Sequence, residues 1–412
     1  MRSAVLILLF IGMAFCANAA AAERVAYRTS GLCDGLPRIQ LKTPPGVCVG
    51  LVASGLRFPR GVLPLDNGDL LVVAMGGWEA QRGSVWLLKR RESGFEQKLL
   101  VDKLDRPHGI ALGPDGRVYI GVVGGVLRFN PLNPRSTLEP VVGGGSDVSA
   151  LPESGRHPLV NLVFDQKGYL YVGVGSHSDN CEAHDGSLPD SARSCAEAEG
   201  ENPRGSIRRY RMKWPEGAVL GSEMFARGLR NSMALAVHPV SGILLQGENS
   251  RDAIHRHMPD LENDEELPHD ELNVIESGKH YGWPYCYDQG RPSPEYPDVK
   301  CAKFEAPSLL LPAHAAPLGM TFYSGGLLPI EYHGSLLISF HGYRRHGHRV
   351  VAYAVDANGS PVGSPRDLVW GWEAGAGGPK GTPVDLRTGT GGAVYLTEDR
   401  NGTVLRIAQI KN

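Results

Sequence analysis

The sequence predicts an all-β fold, a six-bladed β-propeller with loop insertions on one face, and three observations lead there. One strand-turn-strand unit recurs six times; most copies are followed by a further strand of common form; and 53 glycines and 30 prolines occur without a long helical period. A length of 412 residues alone would suggest two or three domains. A repeat takes precedence over length, so residues 23–412 are read as one domain.

The repeat unit is a short apolar stretch, a polar turn that usually holds glycine, and an alternating strand rich in Val, Leu and Tyr. It reads PRGVLPLDNGDLLVV from Pro59, RPHGIALGPDGRVYIGV from Arg106 and HPLVNLVFDQKGYLYVGVG from His157. It returns as RNSMALAVHPVSGILLQGE from Arg230, PLGMTFYSGG with HGSLLISFHG from Pro317, and TPVDLRTGTGGAVYLTED from Thr382. Two such strands joined by a tight glycine turn form a hairpin. The strands that follow, GSVWLLKR at Gly83, GGVLRFNP at Gly124, GSIRRYRM at Gly205, HRVVAYAVD at His348 and GTVLRIAQI at Gly402, complete most of each blade. A radial array buries sheet faces against neighbours and leaves only short edges.

Between turn glycines the spacing is uneven, and the excess length lies in two stretches, about 176–204 and 252–310. Insertions in repeat arrays gather on one face, and that face is where function is sought.

The first residues run Met1-Arg2-Ser3, then an apolar stretch from Ala4 to Cys16, then small residues to Ala22. That is the order of a secretory leader spanning residues 1–22, too short for a comfortable membrane span. Phe15 stands where lipoprotein processing wants a small residue before Cys16. A soluble periplasmic or secreted protein is expected. Without Arg2 the chain carries a formal charge of about −3, from 44 acidic residues and one fewer than 42 basic ones. That offers no field for nucleic acid or anionic membrane, so a small molecule is the expected partner. Six cysteines remain, in local pairs Cys33 with Cys48, Cys181 with Cys195, and Cys286 with Cys301. In an exported chain these are read as three disulfides, and no Cys-x-x-Cys spacing supports zinc.

Three groups of residues have chemistry to offer. His108, His157, and Arg230 with Asn231 each sit where an inner strand begins, at the end of a blade nearest the axis. A histidine in a β protein is more often structural than catalytic, but recurrence in successive blades brings such residues together. Second, Glu248-Asn249-Ser250-Arg251-Asp252 and Asp270-Glu271-Leu272-Asn273 cluster carboxylates, amides and carbonyls suited to a hard cation such as calcium; a solvated acidic loop is the plain alternative. Third, His341, Arg344, Arg345, His346 and His348, with Lys380 and Arg387, are either surface charge or a clamp for a ligand with several carboxylates.

Together these segments resemble the soluble quinoprotein sugar dehydrogenases, the glucose and sorbosone dehydrogenase family that uses pyrroloquinoline quinone. The resemblance runs from about Pro44 to Ile407 and is most specific in GLRNS at Gly228, LLQGENSRD at Leu244 and DELNVIESGKHYGWPYC at Asp270. GENSRD and the FHG segment are most similar to the sorbosone or pyranose dehydrogenase-like members. The resemblance implies an axial pocket holding the quinone, with calcium bridging protein and cofactor. It implies that His157 is the general base for the substrate hydroxyl, and that Arg230 and Asn231 contact the cofactor. It places the metal on backbone carbonyls of the loop Glu248, Asn249, Ser250 and Arg251, makes Asp270 the acidic residue of the next turn, and lets Arg345 or Arg344 reach a cofactor carboxylate.

Two departures stand out. Thr382 occupies a place where the family commonly has arginine, which leaves Arg387 or Lys380 to compensate; and His108 stands where glucose-oxidising relatives have an amide. The leading expectation is oxidation of a sugar, sugar alcohol or sugar aldehyde with pyrroloquinoline quinone and calcium, coupled to an external electron acceptor. The alternatives are a calcium-dependent propeller lactonase or other hydrolase, and a non-catalytic binding propeller.

Overall fold

The computed structural model describes residues 27–143, 150–183, 185–372 and 381–410. The leader expected at 1–22 and Lys380 lie outside them. Six sheets, antiparallel but for one parallel contact of Lys279–His280 at the edge of the third, stand around an axis, and their innermost strands are Pro59–Pro64, Ile110–Leu112, Leu162–Phe164, Ser232–Val237, Pro317–Phe322 and Pro383–Thr388. Each is the first strand of one predicted repeat, so all six run in the same sense along the axis. The polar turns close the inner hairpins with a left-handed glycine, Gly68 at φ 86° and Gly116 at φ 72°.

Inner strands approach one another closely. A Cβ on Gly109 would lie 2.7 Å from Asn161 Oδ1 of the next blade, and one on Gly61 would lie 2.6 Å from the carbonyl of His108. That contact is why the repeats read Pro-Arg-Gly and Pro-His-Gly at these places. Between blades the faces bury continuous apolar layers: Tyr119, Val126, Leu162 and Val172 between the second and third, and Leu245, Leu272, Met320 and Ile338 between the fourth and fifth.

The ring is closed by a strand outside the repeat. Val47–Ala53 pairs with Thr403–Gln409, in register Leu51 to Leu405 and Val49 to Ile407. The disulfide Cys33–Cys48 ties that strand to the hairpin Thr29–Cys33 and Leu36–Ile39 at its outer edge. Cys181–Cys195 and Cys286–Cys301 are also formed.

The stretch 252–310 is not one insertion. His269–Ile275 and Leu309–Ala313 are the third and fourth strands of the fourth blade. Asp270, Glu271, Leu272 and Asn273, expected in an acidic turn, are therefore buried strand. Polar residues at buried positions hid the period of two. The stretch 176–204 does lie between two strands of the third blade, Leu170–Val174 and Ser206–Lys213. No helix of the described residues is long and apolar enough to cross a membrane.

Candidate active site at the axial mouth

His108, His157, Arg230 with Asn231, and Thr382 all precede inner strands, so the common strand direction delivers them to one mouth of the channel. Backbone hydrogen bonds within and between blades fix the chain there. Gly109 N donates to Val160 O at 3.0 Å, His157 N to Ser176 O at 3.2 Å, and Ser176 N to Arg230 O at 2.8 Å. Ser176 thus stands directly between His157 and Arg230.

His157 Nδ1 lies 2.8 Å from Ser176 Oγ, whose own proton is donated to Ser178 O at 2.6 Å. A hydroxyl has one proton, so the imidazole must be the donor in the first contact. Nδ1 then carries hydrogen and Nε2 carries the lone pair. Burial, with Arg230 and Arg156 nearby, pushes the His157 pKa down to about 2, so the ring is neutral.

Arg230 is 3% exposed. Its Nε donates to Asp179 Oδ1 at 2.8 Å, Nη1 to Asn249 O at 2.8 Å and Nη2 to Asp252 Oδ2 at 3.1 Å. Burial opposes its charge, yet Asp179 and Asp252 outweigh that and raise the pKa. Glu248 Oε1 accepts the backbone N–H of both Arg230 and Asn231, the latter at 3.2 Å. Asn231 Oδ1 is buried with no hydrogen-bond partner.

The loop 248–252 is wound into its own network. Ser250 N donates to Asp270 Oδ1 at 2.8 Å, Ser250 Oγ to His269 O at 2.6 Å, and Arg251 Nη1 to Glu295 Oε2 at 2.5 Å. Asp270 Oδ2 receives Ala316 N at 2.6 Å, so this carboxylate is a strut between the fourth and fifth blades. Burial raises Asp270 and Glu248 to about 7 each. Among the described residues the one cluster of three metal-type side chains is Cys181, Cys195 and Glu197, and its cysteines are joined to each other.

The basic group does not gather at the mouth as a set. Arg345 has a side chain 76% exposed and pairs with Glu266 at 3.2 Å, while Arg344 pairs with Asp264 at 2.9 Å. Arg387 pairs with Asp385 at 2.8 Å and lines a cavity of about 330 Å³ with Leu63, Leu112, Phe164 and Phe322. Those residues end the inner strands, and the Arg387 charge still reaches His108, whose pKa it helps to lower.

What the sequence left unseen is Arg60. Its Nε lies 3.0 Å from His108 Nδ1, and it forms a buried ion pair with Asp399. Asp399 also binds His341 Nε2 at 3.1 Å and the Thr382 hydroxyl. Arg60 precedes Gly61 as His108 precedes Gly109, so the register of the repeat was the available signal. Asp399 follows Glu398, which takes the backbone N–H of Thr382 at 2.8 Å just as Glu248 holds that of Asn231.

The two insertions meet beside the mouth. Trp283 Nε1 donates to Asp179 O at 3.0 Å, and Cys195 N to Tyr285 Oη at 2.9 Å. Between them is a cavity of about 640 Å³ whose lining includes Glu199, Arg227, Tyr285, Tyr296, Lys303 and Phe304.

A family model described as TrAA12-like matches residues 41–294. An uncharacterized protein of Borreliella burgdorferi is 29% identical over 355 residues, 76% of this chain and 89% of the relative. A pyrroloquinoline quinone-dependent sugar dehydrogenase of Hypocrea jecorina is 23% identical over 404 residues, 87% of each chain. An aldose sugar dehydrogenase of Escherichia coli is 24% identical over 392 residues, 89% of this chain and 94% of that one. Among solved structures, a Trichoderma reesei protein of Carbohydrate-Active Enzymes Family AA12 superimposes with TM-score 0.69 at 22% identity, covering 93% of this chain and 100% of that one. The holo pyrroloquinoline quinone domain of pyranose dehydrogenase from Coprinopsis cinerea gives TM-score 0.67 at 20% identity, with 91% and 98% covered. These structural likenesses carry the propeller fold, while the family match spans more than half of the sequence and takes in His108, His157, Arg230, Asn231 and the 248–252 loop. The chain belongs to the TrAA12-like family of quinone-dependent oxidoreductases.

Proposed function

We propose that this chain is an exported dehydrogenase that oxidises a sugar, sugar alcohol or sugar aldehyde with pyrroloquinoline quinone and calcium, passing electrons to an external acceptor. The observation that carries the reading is His157: a neutral imidazole, anchored through Nδ1, with the lone pair of Nε2 left unused by any described group.

The residues present fit such a cofactor. Asn231 Oδ1 is buried without a partner, and neither His108 Nε2 nor His157 Nε2 is hydrogen-bonded by a described group. Three unmet polar positions on successive blades suit a planar group rich in carbonyl and hydroxyl oxygens. When bound, the quinone supplies a two-electron acceptor and calcium a Lewis acid.

The chain's own part is acid-base and positional. His157 Nε2 takes the proton of the substrate hydroxyl as hydride leaves the carbon that bears it, and Ser176 holds the ring for that transfer. Asn231 offers its amide to the cofactor, and Glu248 fixes the backbone that presents it. Arg230 acts by position, since Asp179 and Asp252 already match its charge. Arg345 is left out of the proposed contacts by its pairing with Glu266. Of the carbonyls of Glu248, Asn249, Ser250 and Arg251 proposed for the metal, that of Asn249 already accepts Arg230 Nη1.

A hydrolase would need unspent carboxylates at the axis. Here Asp179, Asp252 and Asp399 are each paired to a guanidinium. The test is reconstitution: purified protein should reduce an artificial dye with aldoses or polyols only when quinone and calcium are both added. No turnover across such a panel, with no quinone absorbance retained after gel filtration, would defeat the proposal.

A further inference from the structure

We propose that Arg60 is a positioning residue that fixes His108 as the Nε2–H tautomer, so that the axial mouth holds two neutral histidines of opposite sense. His157 presents a lone pair at Nε2, and His108 presents a proton there. The donor serves the oxygen that gains negative charge as proton and hydride leave the substrate. That last role rests on the proposed oxidation; the tautomer does not.

The chemistry of Arg60 leaves little choice. A guanidinium nitrogen always carries hydrogen and never accepts. With Arg60 Nε 3.0 Å from His108 Nδ1, that ring nitrogen must offer its lone pair. A neutral imidazole with a lone pair on Nδ1 has its proton on Nε2. An imidazolium would set an N–H against the N–H of Arg60. Burial, then Arg60, then His341 also hold His108 well below its ordinary value.

Arg60 cannot turn away. It is 5% exposed, its Nη1 is bound to Asp399, and Asp399 is itself gripped by His341 Nε2 at 3.1 Å and by the Thr382 hydroxyl. The groups that hold this imidazole come from the first, fifth and sixth blades, so its setting is a property of the closed ring. His108 is 2% exposed, and no described group meets its Nε2. A donor that no protein group meets is available for a ligand to complete.

The opposite tautomers divide labour between base and donor. A preset N–H aimed at a developing oxyanion contributes on the order of 10²–10³ in kcat when one such donor is removed. Neutral histidine as donor avoids adding a cation beside His157, whose own basicity Arg230 and Arg156 already depress.

Long-range nitrogen-proton NMR of the nitrogen-labelled chain without cofactor tests this directly. His108 and His157 are assigned by loss of their signals in His108→Gln and His157→Gln. Expected are an unprotonated Nδ1 with a protonated Nε2 for His108, and the reverse for His157. Arg60→Met should release the His108 pattern and bring its titration into view between about pH 5 and 7, the range of an ordinary histidine. In the reconstituted enzyme the same variant should lower kcat by about 10–100-fold with little change in sugar KM, and Arg60→Lys should recover part of it. A wild-type spectrum with His108 protonated at Nδ1 overturns the proposal, as does an Arg60→Met spectrum identical to wild type. If Arg60→Met fails to fold, the wild-type spectrum alone still decides. Failure of the oxidation assay leaves these spectra unchanged, so the two readings fail separately.

Discussion

Ser176 holds two residues of different blades at once: its hydroxyl meets His157 Nδ1 at 2.8 Å and its backbone N–H meets Arg230 O at 2.8 Å. The base and the guanidinium are therefore placed by one residue, and the two are separable by mutation. His157→Gln removes the base and should lower kcat by about 10²–10⁴-fold while quinone binding, read by absorbance, persists. Ser176→Ala keeps the base but frees its tautomer and should cost about 10–100-fold. Equal losses in both variants would deny His157 its proposed role.

Arg230 is the cation most committed to the site. Arg230→Met leaves Asp179 and Asp252 with Arg156 alone, at 4.0 and 3.0 Å, and Asp179 has a side chain only 12% exposed. Loss of one partner from a fully buried, uncompensated pair costs about 3–5 kcal/mol; with Arg156 still in place the urea midpoint should fall by less than that. Arg230→Lys should recover little, because one ammonium cannot reach Asp179, Asp252 and Asn249 O together. Full stability in Arg230→Met would show that the pair is not a net support.

The pH profile of stability should bend in two directions. His157 falls from its ordinary 6.5 to about 2 in the folded state, so between those values the unfolded chain binds the extra proton. Its contribution is present above about 6.5 and fades as pH falls. Glu398 rises from 4.5 to about 7 through burial, so between those values the folded chain binds the extra proton. Its contribution is present below about 4.5 and fades as pH rises through about 7. Thermal melts should show His157→Gln flattening the loss of stability toward acid and Glu398→Gln flattening the decline as pH rises to neutrality. Parallel curves for wild type and both variants would contradict this assignment.

The hairpin repeat made the blades, the cysteine pairs and the inward-facing His157 and Arg230 legible, because those signals are local in sequence. The rest depended on long-range pairing. Arg60 and Asp399 stand 339 residues apart and are joined only when the ring closes. The closing strand Val47–Ala53 has no repeat around it to announce it. Asp270 was misread for a physical reason: a carboxylate that captures two backbone N–H groups occupies a buried strand position where an apolar residue is expected.

Gly109 ties fold to chemistry. A Cβ there would lie 2.7 Å from Asn161 Oδ1, whose amide nitrogen is bound to Met233 O. Gly109→Ala must push the second blade from the third, at a cost of about 1–3 kcal/mol. Because His108 is the preceding residue, kcat should fall as well. Gly116→Ala, at a turn with open space around it, should cost stability through its positive φ of 72° and leave kcat alone. A Gly109→Ala enzyme with full turnover would mean that His108 needs no exact placement.

Calcium should matter to the loaded protein more than to the empty one. Without any cation, the 248–252 loop is already held by Arg230 on Asn249 O, Asp270 on Ser250 N and Glu295 on Arg251. A chelator should therefore leave the melting temperature of the quinone-free chain within error. With quinone present, calcium adds stability only through binding to the native state, which grows as RT ln(1 + [L]/Kd), about 2.7 kcal/mol at a hundredfold excess over Kd. The measurement is a set of four melts, with and without quinone and with and without chelator. A chelator that unfolds the quinone-free chain would place the metal in the scaffold and not in the reaction.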